Sequence, residues 1–249
     1  MSSFIKNVIN YFCSTWEYKA ILIYIFLGSF FITCQNAGLN YSELLSSSFT
    51  NKIFLTVILY PSFVAMFMLT YQYISKNYSL LLRLKTRKKY ATFCIVTIII
   101  MTIFLFLQAF IIELINCNLT PHSDFKITNN LNYSVDDFII FIISVIKILL
   151  TAIVIGFFNL FLQLKFNNKN VTVIILMACL TLIFFGDKLY PSGFWLIDFF
   201  NPGFQSHGYY LLNSTTELII SGIVYFSVII LLLIYLIYRS SKKCKIGVN

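Results

Sequence analysis

Lys147 and Glu113 place an ammonium and a carboxyl group within long apolar stretches of the sequence. A charge at the centre of a bilayer costs about 3 kcal/mol on insertion scales, so both side chains are expected to face a bundle interior or water. Gln108 adds an amide to the stretch that carries Glu113. Lys147 either lines a pathway or is a structural lysine bonded to neighbouring carbonyl or hydroxyl groups, and the sequence leaves both roles open.

Direct pairing of these two charges is not expected. Glu113 lies about two residues from the end of its apolar stretch and Lys147 about ten from the corresponding end of its own, so at a rise of about 1.5 Å per residue their depths differ by about 12 Å. One acid and one base so placed are not a catalytic set. The sequence therefore predicts no enzyme.

Signatures of catalysis and metal binding are missing from the sequence. It has no G-x-x-x-x-G-K-[ST] segment for ATP, no H-E-x-x-H for zinc and no G-x-S-x-G for a serine nucleophile. Its six cysteines show no C-x-x-C spacing, which leaves a zinc or redox site unsupported. Whether Cys34 and Cys117 form a disulfide stays open. No metal and no cofactor is assigned to this chain.

A strongly basic segment, 75–90, separates two apolar stretches. It has no acid and carries six cations: Lys76, Arg83, Lys85, Arg87, Lys88 and Lys89. Such a loop stays in the cytoplasm, because cations close to membrane spans resist translocation. Leu80, Leu81, Leu82 and Leu84 lie among the charges and make the loop adhesive as well. We therefore expect a cytosolic partner to bind there, the alternative being a solvated basic loop without a partner.

The composition indicates an integral membrane protein. Hydrophobic residues make up 59% of the chain and charged residues 11%, whereas a soluble domain has about 25% charged residues. Six apolar runs use almost the whole chain, which predicts an all-α fold with a single transmembrane domain over 1–249. The basic residues that give the chain its net charge of +9 flank these runs. Binding to anionic lipid headgroups therefore explains the charge better than binding to nucleic acid does.

The order of helices follows from the apolar pattern. Apolar residues at helical spacing predict an interfacial amphipathic helix over 3–16. Polar residues 35–51 are predicted to form an outer loop, and Pro61 is expected to kink the second span. The aromatic stretch 187–216 is interrupted by proline and glycine and predicts short re-entrant helices between spans five and six. The six transmembrane helices are predicted at 18–34, 52–74, 91–115, 137–160, 171–186 and 217–238.

The distribution of basic residues predicts the orientation. With both termini in the cytoplasm, 14 of the 18 Lys and Arg residues lie on the inner side. Lys52, Lys126 and Lys188 then lie outside, and Lys147 is within the membrane. The opposite orientation would invert this bias, so both termini are predicted to be cytoplasmic.

Several segments together resemble the permease subunit of a bacterial ABC-2 type ABC transporter. The helix at 3–16 resembles the elbow helix of that family, and 75–90 resembles its first coupling helix. The loop 161–170 resembles the second contact with the ATPase. Residues 190–195, Tyr-Pro-Ser-Gly-Phe-Trp, and the following Asn201-Pro202 resemble the pattern before the last helix of the family. Unlike many members, the chain has no acid at the start of its first coupling segment.

The resemblance implies a transporter subunit without its own ATP-binding motif. A separate cytosolic ABC ATPase subunit would bind ATP and Mg and dock on the coupling helices. The other implied partners are a second permease copy, identical or not, membrane lipids and an amphipathic peptide cargo. Small six-span Gram-positive members include lantibiotic self-protection permeases and phenol-soluble modulin exporters. The implied ATPase-docking residues are Leu80, Leu81, Arg83, Leu84, Arg87, Lys88 and Lys165, and the implied outer gate is Pro191, Trp195, Asn201 and Pro202.

Two other classes of function are compatible with the sequence. One is a membrane immunity or binding protein that sequesters a toxic peptide without transporting it. The other is an ion-coupled carrier that uses Lys147. The resemblance places the protein in the bacterial cell membrane as a multi-pass protein, but the identity of its cargo, and whether that cargo leaves the cytosol or the membrane, stay open.

Overall fold

The computed structural model describes residues 2–39, 41–77, 86–121, 135–166, 168–185 and 215–241. Every regular element in these ranges is a helix, in agreement with the predicted all-α class. A π-helical segment, Phe54–Leu59, leads directly into the fourth of eight α-helices. The described helices are α1 Ser2–Ser14, α2 Trp16–Gln35, α3 Tyr41–Phe49, α4 Tyr60–Lys76, α5 Arg87–Leu119, α6 Val135–Phe166, α7 Lys169–Phe185 and α8 Thr215–Ser241.

Five of the helical stretches are long and apolar enough to cross a membrane. They are Trp16–Gln35, Phe54–Lys76, Lys88–Leu119, Phe141–Phe166 and Val224–Ser241, and the shortest, at 18 residues, is about 27 Å long. In lipid the backbone polar groups must be bonded internally, which is why such stretches are helical. The helix over the predicted fifth span, α7, is shorter, with 17 residues. The predicted re-entrant stretch, 187–216, falls outside the described residues up to 214, and its last two residues begin α8.

Several helices extend beyond the apolar stretches that predicted them. The third span was expected from 91, but α5 begins at Arg87, because Thr86 caps it by accepting a hydrogen bond from Lys89 N at 3.3 Å. The fourth span was expected to end at 160, but α6 continues to Phe166. The helices continue through polar residues at these ends, because the backbone hydrogen bonds of a helix form in water as well as in lipid.

The expectation of an outer loop over 35–51 is wrong in part, since α3 occupies Tyr41–Phe49. The many serines of α3 made the segment resemble a loop, but two of its apolar side chains, Leu44 and Phe49, are fully buried. The Phe49 ring meets Phe106 and Phe110 of α5 edge-on, with centroids 5.7 and 5.3 Å apart. Burial of these side chains stabilises a helix whose composition alone resembles that of a loop.

Side-chain contacts define the directions of the helices. Tyr18 contacts Gln108 and Ser29 contacts Glu113, so α2 and α5 run parallel. Near the start of α5, Thr92 bonds Tyr238 at the end of α8. Farther along α5, Ile98 packs on Gly156 of α6. Earlier on α6, Lys147 packs on Gly222 of α8. These three contacts lie at matching levels only if α6 and α8 both run towards the end of the bundle where α5 begins. α6 and α8 are therefore parallel.

The second span begins in a wide π-helical turn next to a proline. Pro61 has no N–H, so the α-helical partner of the Val57 carbonyl is missing. The Tyr24 hydroxyl of α2 donates to this carbonyl at 2.9 Å. Gly28 of α2 faces the same segment, and a Cβ there would lie 2.5 Å from Ile58 Cδ1. A small residue and a hydroxyl thus bind the irregular start of this span closely to α2.

A second close approach joins three helices at Gly156 of α6. A Cβ at this position would lie 2.6 Å from Ile98 of α5 and 2.9 Å from Phe67 of α4. All of the neighbouring side chains are buried in the common core. Membrane helices pack closely where a small residue lets the backbones approach, and this glycine serves that purpose.

Candidate functional site

Three polar centres lie inside the part of the bundle that the structure describes. The first surrounds Glu113, which is 0% exposed. α5 presents its carboxyl group to two hydroxyls of α2. Ser29 donates to one oxygen, and Thr33 Oγ1 lies 3.1 Å from the other. Ser29 and Thr33 are four residues apart and therefore lie on one face of α2. The carboxyl group cross-links α2 and α5, and no cation of the described residues forms an ion pair with it.

Two amides extend this contact along the same pair of helices. Asn116 Nδ2 donates to Ser29 Oγ at 2.8 Å and to the Phe26 carbonyl at 3.1 Å. Gln108 accepts a hydrogen bond from the Tyr18 hydroxyl. The predicted interior residues Gln108 and Glu113 thus belong to one polar seam between α2 and α5.

The second centre is Lys147 of α6, which is 6% exposed. Its ammonium nitrogen is buried and has no hydrogen-bond partner within the described part of the chain. The side chain lies against Gly222 of α8, where a Cβ would be 2.9 Å from Lys147 Cε. Gly222 therefore makes room for the lysine. The carbonyl and hydroxyl partners that a purely structural lysine was expected to have are not found among the described residues.

Glu113 and Lys147 lie in different helix interfaces. Glu113 faces α2 and Lys147 faces α8. No ion pair joins them. Direct pairing of the two groups was not expected from their different depths in the sequence. An acid and a base held apart in a bundle can bind or conduct charged groups separately, but they cannot act as an acid–base pair on one bond.

The third centre contains Asn159 and Gln163, one helical turn apart on α6. Gln163 Nε2 lies 2.8 Å from Asn159 Oδ1 and 2.8 Å from the Met68 sulfur of α4. Asn159 Nδ2 is buried without a partner among the described residues. A cavity of about 10 Å³ lies beside these amides, which is room for about one water molecule. This centre can therefore hold an internal water.

Basic residues collect at one end of the bundle. Lys76 ends α4, Lys88 and Lys89 lie in the first turn of α5, and Arg239 lies in the last turn of α8. Lys165 was expected in a loop over 161–170, but it lies in the last turn of α6, with its ammonium 5.6 Å from the Phe161 ring centroid and 5.1 Å from that of Phe166. Lys88 is exposed. We call this surface the basic end.

Several predicted site residues lie outside what the structure describes. Arg87 begins α5, but its side chain is not described. The remaining coupling residues and the gate residues fall on undescribed positions: Leu80, Leu81, Arg83, Leu84, Pro191, Trp195, Asn201 and Pro202. Their roles stay predictions.

The sequence analysis missed residues that complete the three centres. Two pairs at i, i+4 spacing carry a usable signal, because Ser29 with Thr33, and Asn159 with Gln163, place polar groups on one face of an apolar helix. Gly222 and Asn116 carry no comparable signal, since their roles depend on the neighbouring helix. Within the described ranges no three His, Cys, Asp or Glu side chains come together as a metal site.

Comparison with known proteins identifies no relative: no family model matches the chain, and no curated protein or solved structure is detectably similar to it.

Proposed function

We propose that this protein is the permease subunit of an ATP-driven exporter of the ABC-2 type, and that it moves amphipathic or hydrophobic peptides out of the cytosol or the membrane. The basic end is the observation that carries the proposal. The basic segment 75–90 joins α4 to α5 at this end, and Lys165 and Arg239 lie at the same end. A cytosolic ATPase would bind there, using the leucines and cations of the segment.

The directions of the helices support a six-span arrangement. Since α6 and α8 run parallel and both are long enough to span, the chain between them has to return across the bilayer. Two residues separate the end of α6 from the start of α7, and α7 contacts α4, α6 and the π-helical segment at the far end of the second span. We therefore assign α7 as the fifth of six spans.

We infer that both termini are cytoplasmic, because the basic end collects most of the described cations. Single cysteines at positions 88 and 43 of a cysteine-free chain are expected to react on opposite sides of the membrane. In intact cells an impermeant maleimide should label position 43 and reach position 88 only after permeabilisation. Labelling of position 88, but not 43, from outside would reverse the orientation.

The proposal requires a separate ATPase, since the chain has no P-loop. Affinity purification of the tagged protein from its native membrane is expected to retain a soluble P-loop ATPase. The purified chain alone should hydrolyse no ATP, and peptide export in proteoliposomes should require both proteins and ATP. Export by the chain alone, driven by an ion gradient without ATP, would contradict the proposal.

An ion-coupled carrier is the second candidate, and two buried charges favour it. Lys147 is an unpartnered ammonium within the described bundle, and Glu113 is a buried carboxyl group. Intramembrane ionisable residues often belong to ion or proton pathways. The ATP-free proteoliposomes decide between the two candidates, because a carrier would be active in them.

In the permease, Lys147 is the residue that we assign to the interior pathway, while Glu113 and Gln108 join α2 to α5. A second permease copy completes the assembly. Pro191, Trp195, Asn201 and Pro202 are proposed to form the outer gate on the strength of the family resemblance.

A further inference from the structure

A cleft of about 430 Å³ opens between α1, the start of α2 and the end of α4. Its volume lies within the range of roughly 300–1,000 Å³ that is usual for small-molecule sites. Thr15, in the break between α1 and α2, and Glu17, in the first turn of α2, contribute polar groups on one side of the cleft. Gln72 and Lys76 contribute polar groups from α4. None of these residues takes part in the three polar centres.

Aromatic rings form part of the cleft wall. The Tyr11 ring of α1 lies against the Tyr73 ring of α4 in a tilted arrangement, with centroids 4.4 Å apart and planes inclined by 32°. Phe12 is fully buried, and its ring centroid lies 6.4 Å from that of Tyr73. Because Phe12 anchors α1, the Tyr11 ring is held in place while 45% of its surface stays exposed. An exposed aromatic face at a fixed position is a binding surface for a cation.

Two opposite charges line the cleft without pairing. Glu17 and Lys76 are both exposed, and neither forms an ion pair with another residue that the structure describes. Helix dipoles account for where each charge occurs, since Glu17 is in the first turn of α2 and Lys76 in the last turn of α4. Both charges are open to solvent, so both are available to a ligand that enters the cleft. A ligand with one positive and one negative group would complement both.

The surroundings of the cleft indicate where such a ligand comes from. α1 is amphipathic, and its apolar side chains Val8 and Phe12 are buried against the bundle. Trp16, at the junction with α2, is 72% exposed, and tryptophan concentrates at membrane–water interfaces. The cleft therefore opens at the level of the lipid headgroups.

We propose that this cleft binds the headgroup of a phospholipid that carries both a phosphate and an ammonium group, such as phosphatidylethanolamine. Lys76 and the Gln72 amide bind the phosphate, since an ammonium pairs with phosphate as a point charge. Glu17 and the exposed face of Tyr11 bind the headgroup ammonium. The acyl chains stay in the bilayer beside α1. The site shares Lys76 with the basic end, but lipid binding requires neither an ATPase nor a cargo, so it can be tested independently of the proposed function.

The test is native mass spectrometry of the detergent-purified full chain, titrated with phosphatidylethanolamine or phosphatidylglycerol of equal acyl length. The wild-type chain is expected to bind phosphatidylethanolamine about fivefold more tightly, which corresponds to one exposed ion pair. Glu17→Gln should weaken the binding of phosphatidylethanolamine and remove this preference, without weakening the binding of phosphatidylglycerol. Lys76→Gln should weaken the binding of both lipids, because both contain the phosphate.

Glu43→Gln and Arg239→Gln are matched controls, since Glu43 is also a first-turn acid and Arg239 a last-turn base, on helices outside the cleft. Both controls should bind the two lipids as the wild type does. Equal binding of the two lipids by the wild type would overturn the proposal. It would also be overturned if Glu17→Gln weakened both lipids alike, or if the controls reproduced the effects. Circular dichroism of each variant verifies that the helices are intact.

Discussion

Replacing Lys147 with leucine is expected to stabilise the isolated protein and to reduce peptide export at least about tenfold. The ammonium is buried and unpartnered within the described bundle, so an apolar side chain avoids a desolvation cost of about 2–3 kcal/mol. Export falls because the variant removes the only cation that we assign to the interior pathway. Thermal unfolding in detergent, followed by tryptophan fluorescence, measures the first effect, and ATP-dependent export in proteoliposomes measures the second.

Gly222 supplies the matched test of the geometry. Gly222→Ala should destabilise the wild-type chain, because the added Cβ meets Lys147 Cε. Because Cε is near the end of a flexible side chain that can shift, the cost is expected to be at the lower end of overpacking effects, about 1 kcal/mol, and it should vanish in the Lys147→Leu background, which lacks that atom. Unchanged export by Lys147→Leu would remove this residue from the pathway. A loss of stability in the same variant would mean that the ammonium has a partner in the native bundle.

Replacing both Leu81 and Leu84 with aspartate is expected to abolish ATPase binding and ATP-driven export. If the segment 75–90 docks as an amphipathic helix, its leucines enter a groove on the partner, and two carboxylates would be desolvated there. The chain should still insert correctly, because all six cations of the segment remain. Pull-down of the ATPase and export are measured in the same cells.

The control for this experiment is the pair Arg87→Gln and Lys88→Gln. Charges at the rim of an interface mainly affect the rate of encounter, so this variant should retain most of the binding. Four of the six cations remain to hold the orientation. Wild-type binding and export by the double aspartate variant would show that the segment is a solvated basic loop, and the ABC proposal would lose its mechanical basis.

Long apolar stretches made the spanning helices predictable, whereas features that depend on a neighbouring helix were not. The period of apolar residues predicts a helix over 3–16, and α1 is found at Ser2–Ser14 with Phe12 buried. α3 was missed because four serines outweigh Leu44 and Phe49 in its composition. Phe49 packs on rings of α5 that lie about sixty residues away in the sequence. The local sequence does not predict that contact.

The candidate site was predictable to a similar degree. Lys147 and Glu113 stand out in any apolar sequence, and their separate depths follow from the helix rise. Their environments do not follow from composition. The hydroxyl groups that donate hydrogen bonds to Glu113 belong to α2, and the glycine that contacts Lys147 belongs to α8. Helix length and charge are local properties, but the face that a helix presents is decided by packing.

The π-helical start of the second span has a mechanical consequence for the proposed transporter. Tyr24 and Gly28 hold this segment against α2, so it is a fixed fulcrum, and the regular helix α4 is a lever that ends at Lys76. From Pro61 to Lys76 the lever is about 23 Å long, and a rotation of about 10° at the fulcrum moves its end by about 4 Å. An ATPase that pulls on the basic segment would therefore displace the Lys76 end of α4 by this distance together with α5 and α6, which pack on α4 at Gly156, while the π-helical segment stays in contact with α2.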